Sequence, residues 1–289
     1  MPFATVRALT EGLAAALAPA YPHGPEAAAI AALLTEHLLH LDGPLQRRLQ
    51  AAAPVPAAVQ AQVPALLARL LAHEPVQYVL GTAHFADMAL EVSPATLIPR
   101  PETEELARLV ILENQHLHQP SILDVGTGSG CLALALARAL PTAAVRAVDV
   151  SAAALAVAAR NAARYAPQVV FEQLDILTQT PAVSPGSLDM LVSNPPYVRE
   201  SEQAAMRPNV LGWEPATALF VPDDDPLLFY RRIAALGCVL LRSGGRLYFE
   251  INEAFSLETQ ALLTQHGYVE VRGVADMFGR DRMVAAVAS

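Results

Sequence analysis

The spacing of apolar positions changes twice along the chain, near residues 73 and 100. Up to residue 73 the spacing is helical. Ala27 to Leu39 (AAAIAALLTEHLL) has no strand alternation, and Pro64 to Ala72 (PALLARLLA) fits a helix with proline in its first turn. Pro19, Pro22, Pro25, Pro44, Pro54 and Pro56 divide the region into short pieces. This predicts a small all-α domain, residues 1–73, of four or five helices. In 74–100, Phe85, Leu90, Val92, Leu97 and Ile98 with interspersed polar residues predict two short strands forming a β-hairpin linker. Pro101 with acidic residues behind it then opens a helix. From Ser121 short β-rich runs (121–125, 145–150, 169–173, the run from Leu188, 245–251) alternate with helical stretches (131–140, 151–164, 226–242, 254–266). Two further strands, 268–274 and 281–287, are joined by a short DMFGRD connection. Strands separated by helices form parallel βαβ units. The prediction for 101–289 is therefore an α/β, Rossmann-like domain with a seven-stranded, mostly parallel sheet whose last strand is antiparallel.

Composition narrows the partners. The chain of 289 residues is 53% hydrophobic and 16% charged, ample for a large core, and its formal charge is −9. All 19 basic residues are Arg. An acidic chain without basic runs is ill suited to the phosphate neutralisation that DNA binding needs, so no direct nucleic-acid contact is expected. Cys131 and Cys238 lie far apart, and the eight His show no paired ligand spacing, so neither a disulfide framework nor a metal site is expected. Leu13 to Ala20 is faintly like a signal peptide, but Glu11 interrupts it. No run approaches the ~18 apolar residues of a membrane span. The expectation is a cytoplasmic monomer.

Four strand ends carry candidate chemistry. Asp124-Val-Gly126-Thr127-Gly128-Ser129-Gly130 joins a strand to a helix, where glycines let a ligand approach the main chain. Its spacing is G-x-G-x-G rather than the dinucleotide G-x-G-x-x-G. Asp149 ends the next strand, where a carboxylate can take both hydroxyls of a ribose. Asp175 ends the third and can accept from an adenine amino group, with Ile176 and Leu177 as an apolar wall. Together these describe a site for S-adenosyl-L-methionine (SAM), leaving S-adenosyl-L-homocysteine as product. At the fourth end the apolar run from Leu188 stops at Ser-Asn194-Pro195-Pro196-Tyr197. Proline cannot donate to a ladder, and it holds the preceding residue extended. An Asn amide on a stiff turn beside Tyr197 suits a planar amide or amine next to the methyl donor. Arg100 and Glu102 mark the earlier helix start, either as a salt bridge or as contacts to substrate.

These pieces carry a family resemblance. PVQYVLG (75–81), LIPRPETEEL (97–106), LDVGTGSGCLALALA (123–137), VDVS (148–151), VSNPPYV (192–198), Glu214-Pro215 with Ala218-Leu219, FYRRI (229–233) and GRDRMV (279–284) resemble the PrmC/HemK protein-glutamine N5-methyltransferases. LIPRPETEEL is the most specific of them, since Asn-Pro-Pro-Tyr is shared with adenine-N6 methyltransferases of nucleic acids. The resemblance implies SAM-dependent methylation of the glutamine in the Gly-Gly-Gln motif of class I peptide-chain release factors. It also implies an N-terminal helical domain that helps hold that protein. Asn194 to Tyr197 would grip the glutamine amide. Alternatives are a ribosomal-protein glutamine methyltransferase and, with the acidic balance against it, an adenine-N6 enzyme. The chain departs from the family pattern at Ile176, usually aromatic, at FVPDDDP (220–226), and at FADMAL (85–90), which lacks a frequent glycine.

Overall fold

The computed structural model describes residues 3–22 and 24–289. It divides into two units, one running to Gly81 and including Arg207–Trp213, the other holding the remainder.

In the first unit a four-residue spacing of leucines decides the packing. In α1 (Val6–Leu17), capped by the Thr5 hydroxyl accepting from the Ala8 N–H at 3.2 Å, the buried residues include Leu9, Leu13 and Leu17. In α2 (Glu26–Leu38) they include Ile30, Leu34 and Leu38. Residues at i and i+4 share a helix face, so each helix presents one apolar stripe, and burial of each such side chain contributes about 1.5–3 kcal/mol. The short α3 (Gly43–Leu49) follows. α4 (Ala57–Leu71) departs from prediction, because Pro64 lies inside it rather than at its start. Pro64 cannot donate to the carbonyl of Gln60, but Val59, Val63 and Leu70 bury a stripe that spans the proline, and that burial carries the helix through. α5 (Val76–Leu80) also belongs here, since Val76 and Val79 join the helical core, although the sequence predicts the linker from residue 74.

The second unit opens with the predicted hairpin, β1 (Thr82–Phe85) and β2 (Met88–Glu91). Leu97 and Ile98, expected in strand structure, lie beyond it without any. Two side chains of a later helix, α8 (Ala152–Tyr165), bind β2. The Asn161 amide meets both the N–H (2.7 Å) and the C=O (3.0 Å) of Glu91, and the Tyr165 hydroxyl does the same for Ala89, at 3.0 Å each.

After α6 (Pro101–Asn114) come β3 (Ser121–Val125), α7 (Cys131–Ala139), β4 (Ala144–Asp149), α8 (Ala152–Tyr165), β5 (Val170–Gln173) and β6 (Leu188–Ser193). The connection from 198 to 225 holds the two-residue pair β7 (Val198–Arg199) and β8 (Phe220–Val221) and the one-turn α9 (Pro208–Leu211). α10 (Leu228–Leu240), β9 (Leu241–Glu250), α11 (Ser256–Gln265), β10 (Val269–Ala275) and β11 (Asp281–Val287) complete the chain. The seven-stranded sheet has the order β10-β11-β9-β6-β3-β4-β5, and β11 runs antiparallel to both neighbours. Side chains alternate along each strand and helices cover both faces, so both faces are apolar. Ile122, Met190 and Val192 enter the core that also holds Leu106 of α6 and Leu134 of α7, while Leu123, Val125 and Leu191 enter the core with Ile233 of α10 and Leu263 of α11. The chain winds outward from β3 through β4 to β5, then returns to β6 on the other side. This reversal opens a crevice at the carboxyl ends of β3 and β6, where open α/β sheets bind ligands. Among the described residues, no helix is long and apolar enough to cross a membrane.

Candidate active site

β3 ends at Val125 and the chain turns through Gly126–Gly130 into α7. Gly126, Gly128 and Gly130 have φ of 77°, 56° and 84°, the left-handed region that a side chain makes costly. The turn is tied to β4 by the Gly126 and Thr127 N–H groups, which both donate to the Val148 carbonyl at 2.9 and 3.1 Å. A Cβ added at Gly128 would meet no atom within 4 Å and would stand in the crevice instead. Gly130 is different. A Cβ there would lie 3.3 Å from that of Ala158, so its absence lets α7 approach α8, and Gly130 lines neither cavity described below.

Three acidic groups surround this turn. Asp149, at the end of β4, accepts the Gly128 N–H at 2.8 Å on one oxygen and the Ser151 N–H at 2.9 Å on the other. Each carboxylate oxygen can accept again, so lone pairs remain for a diol. Burial raises the Asp149 pKa. Asp124, fully buried, accepts from the Thr127 hydroxyl at 2.7 Å and the Ala133 N–H at 3.2 Å. Burial pushes its carboxyl up to about 7, with Asp149 adding to the rise. Asp175 turns its carboxylate to its own turn, where Leu177 N–H (3.0 Å) and the Thr178 hydroxyl (2.9 Å) donate to it. The buried Ile176 stands beside it, held by Arg232, whose guanidinium donates to the Ile176 carbonyl at 2.8 Å.

On the other side of the crevice, the Ser193 hydroxyl donates to the Val125 carbonyl at 2.7 Å and locks the ends of β6 and β3 together. Asn194 follows, its amide nitrogen donating to the Thr103 hydroxyl at 2.9 Å. Thr103, on the first turn of α6, donates to Glu250 at 2.6 Å, and the Tyr197 hydroxyl donates to the other Glu250 oxygen at 3.0 Å. Glu250 ends β9 and is buried. Burial pushes its carboxyl up to about 7; Glu102 raises it too, while the bonds from Thr103 and Tyr197 and the nearby Arg282 oppose the rise. Burial, with Glu250 beside it, holds the Tyr197 phenol protonated. Arg100 forms an ion pair, with Glu214 rather than with Glu102 beside it. It donates at 2.5 Å to Glu214, whose second oxygen accepts the Ile98 N–H at 3.1 Å.

Two cavities share this crevice. The larger, about 420 Å³, is lined among others by Gly126, Asp149, Asp175, Ile176, Asn194 and Phe229. The smaller, about 40 Å³, reaches in toward Asp124, Thr127 and Ser129. Leu97, Gly126, Gly128 and Asn194 line both. Of the residues predicted from sequence, Pro195 and Pro196 also line the larger cavity, whereas Arg100, Glu102 and Tyr197 line neither. The donor set suits SAM. Paired acceptors for hydroxyls stand at Asp149, an apolar wall at Ile176, and a buried acid for a cation at Asp124. Position at a strand end does not by itself single out Asp124 or Thr103. Asp124 opens the glycine motif itself, and Thr103 lies inside RPETE, but burial and partners from other strands, which a motif does not show, are what place them at the site. Ile176 does not leave the wall without aromatic surface, because Phe220 and Phe229 line the same cavity.

Known proteins resemble the chain in both its helical and its α/β parts. Residues 9–81 match the PrmC N-terminal domain, and residues 106–210 match the methyltransferase small domain. A release factor glutamine methyltransferase of Bacteroides thetaiotaomicron is 47% identical over 227 residues, covering 78% of this chain and 81% of the relative. One from Cereibacter sphaeroides is 39% identical over 262 residues, covering 90% and 91%. Among solved structures, the hMettl16 catalytic domain in complex with MAT2A 3'UTR hairpin 6 shares the fold, at a TM-score of 0.56 and 18% identity, covering 70% of this chain and 75% of that one.

Proposed function

This chain belongs to the release factor glutamine methyltransferase family, and on that premise we propose that it methylates the side-chain nitrogen (N5) of the Gly-Gly-Gln glutamine in class I peptide-chain release factors. It is a SAM-dependent enzyme. The observation that carries the substrate reading is the place of Asn194, which lines both cavities at their junction on a turn stiffened by Pro195 and Pro196.

A glutamine amide is a weak nucleophile, because its nitrogen lone pair is delocalised into the carbonyl. The Asn194 side-chain oxygen and the Pro195 main-chain carbonyl each accept one of its two N–H bonds. These two acceptors orient the NH₂ and raise its electron density. Pro195 offers no N–H of its own, and Pro196 keeps the carbonyl aimed. Tyr197, tied to Glu250, supports the turn from behind. Asp149 would take the ribose hydroxyls, Gly126 and Gly128 would give main-chain surface, Asp124 with Thr127 and Ser129 would receive the cationic amino-acid end, and Ile176 with Asp175 would border the adenine. Bound SAM supplies an electrophilic sulfonium methyl. No strong general base is needed, because the proton can leave after transfer. Positioning carries most of the acceleration, and oriented reactants gain ~7–11 kcal/mol in this way.

The helical unit grips the protein substrate. We infer a cytoplasmic monomer without direct nucleic-acid contact; the formal charge of −9, the free thiols Cys131 and Cys238 and the absence of Lys support this. Labelled SAM offered with release factor, with its Gln→Ala loop variant, with ribosomes and with DNA tests the reading. Label is expected on the wild-type release factor alone, and label confined to nucleic acid or ribosomes would overturn it. In the same assay Asn194→Ala is expected to lose at least about 100-fold in turnover, the scale of a misplaced reactant. SAM binding by that variant, measured by calorimetry, should largely survive.

A further inference from the structure

The Asn194 side chain can face the methyl-accepting amide with its oxygen or with its NH₂, and only the oxygen can accept an N–H. What decides between them lies behind Asn194. Ionised Glu250 is acceptor-only, so Thr103, 2.6 Å away, must give it the single hydroxyl proton. Thr103 then has only lone pairs left for Asn194. The amide must therefore send its NH₂ inward, across 2.9 Å, which leaves the oxygen toward the crevice. Tyr197 occupies the second carboxylate oxygen, at 3.0 Å, and holds Glu250 in place.

We propose that Thr103 and Glu250 are positioning residues that set the polarity of the Asn194 amide, Glu250 acting through Thr103. This rests on the reading of the substrate as an amide. If Glu250 is neutral, its own O–H can donate to the Thr103 oxygen, Thr103 can donate to the Asn194 oxygen, and the NH₂ then faces the substrate NH₂, donor against donor. The groups around Glu250 are Glu102 on α6, Cys131 on α7, Tyr230 on α10, Arg282 on β11 and Tyr197 itself. Burial and Glu102 favour the neutral acid, while Arg282 and the two hydroxyl donors favour the carboxylate, with a balance near 7. Methyl transfer should accordingly rise as pH rises through about 7 and level off above it.

The test is single-turnover transfer from labelled SAM to release factor between acid and mildly alkaline pH, with SAM affinity measured in parallel. Thr103→Val keeps the shape and loses the hydroxyl. It should slow transfer roughly 10- to 100-fold with SAM affinity unchanged, as expected for lost alignment. Thr103→Ser should recover most of the rate. Glu250→Gln, which can hold either polarity, should be slow and lose the rise near neutral pH. Wild-type rates in both Thr103→Val and Glu250→Gln would overturn the proposal, as would a Thr103→Ser enzyme as slow as Thr103→Val, because packing alone would then explain the loss. A wild-type enzyme that transfers nothing to release factor would instead overturn the substrate reading, and this inference with it.

Discussion

Glu214 illustrates what a single residue can hold together. It is buried, and its two oxygens take the Arg100 guanidinium and the Ile98 N–H. Ala at this position leaves a backbone donor unpaired and a cation without its partner, which should destabilise the protein by about 2–4 kcal/mol. Glu214→Gln keeps an acceptor for one donor and should cost roughly half as much on the same scale. Urea midpoints of the two variants check both the direction and the ranking. Sequence identifies Arg100 as important but leaves its partner open, because Glu214 lies 114 residues away. The reverse holds for Asp149, whose place at the end of a strand, and so at the crevice, is legible from the strand pattern alone. A residue is legible from sequence when its element positions it, and illegible when a distant side chain does.

At the scale of elements, the hairpin turn is strained. Ala86 and Asp87 between β1 and β2 both have positive φ, 46° and 60°, as a two-residue hairpin turn of this twist requires. Asp tolerates that region and Ala does not. The turn is braced instead by neighbours, with the Ala86 N–H donating to Glu104 at 3.1 Å and Arg138 donating to the Ala86 carbonyl at 3.3 Å. Ala86→Gly should relieve the strain and stabilise the protein by about 1 kcal/mol, read as a raised denaturation midpoint. The parallel strands and their helices are readable because a period of two or of 3.6 runs through each. The helix at Val76–Leu80 and the pieces of the 198–225 connection are not, because each is one or two turns long and is held by contacts rather than by pattern. Ser201, for example, is pinned to Asp223 by two hydrogen bonds, at 3.1 and 2.6 Å.

For the molecule as a whole, the two carboxyls pushed up to about 7, Glu250 and Asp124, make stability depend on pH, and Asp149, raised by burial too, adds in the same direction. Below about pH 4 the folded and unfolded chains both hold these protons. Between there and about 7 only the folded chain does, so raising pH withdraws protons that folding retains, and stability falls. Well above 7 the loss is complete, on the order of 3–4 kcal/mol for each group. Glu91, held below its usual range by Arg160, works in the opposite sense but is too exposed to offset this. Melting temperatures of the ligand-free enzyme should therefore be lower at pH 8 than at pH 5. The acidity of these groups was invisible in sequence, which shows that a carboxyl is present but not that it is buried.

The side chains of Asn161 and Tyr165 have one more consequence. A strand with no neighbour on one side exposes a row of unmet donors and acceptors, a template on which another copy can grow. On β2 that row is Ala89 and Glu91, and the two α8 side chains fill it group for group, standing in for a strand. They act as a built-in guard against edge-to-edge association. Tyr165→Phe with Asn161→Ala should open that edge and shift the protein toward concentration-dependent aggregates in light scattering, in a chain whose net charge otherwise favours solubility.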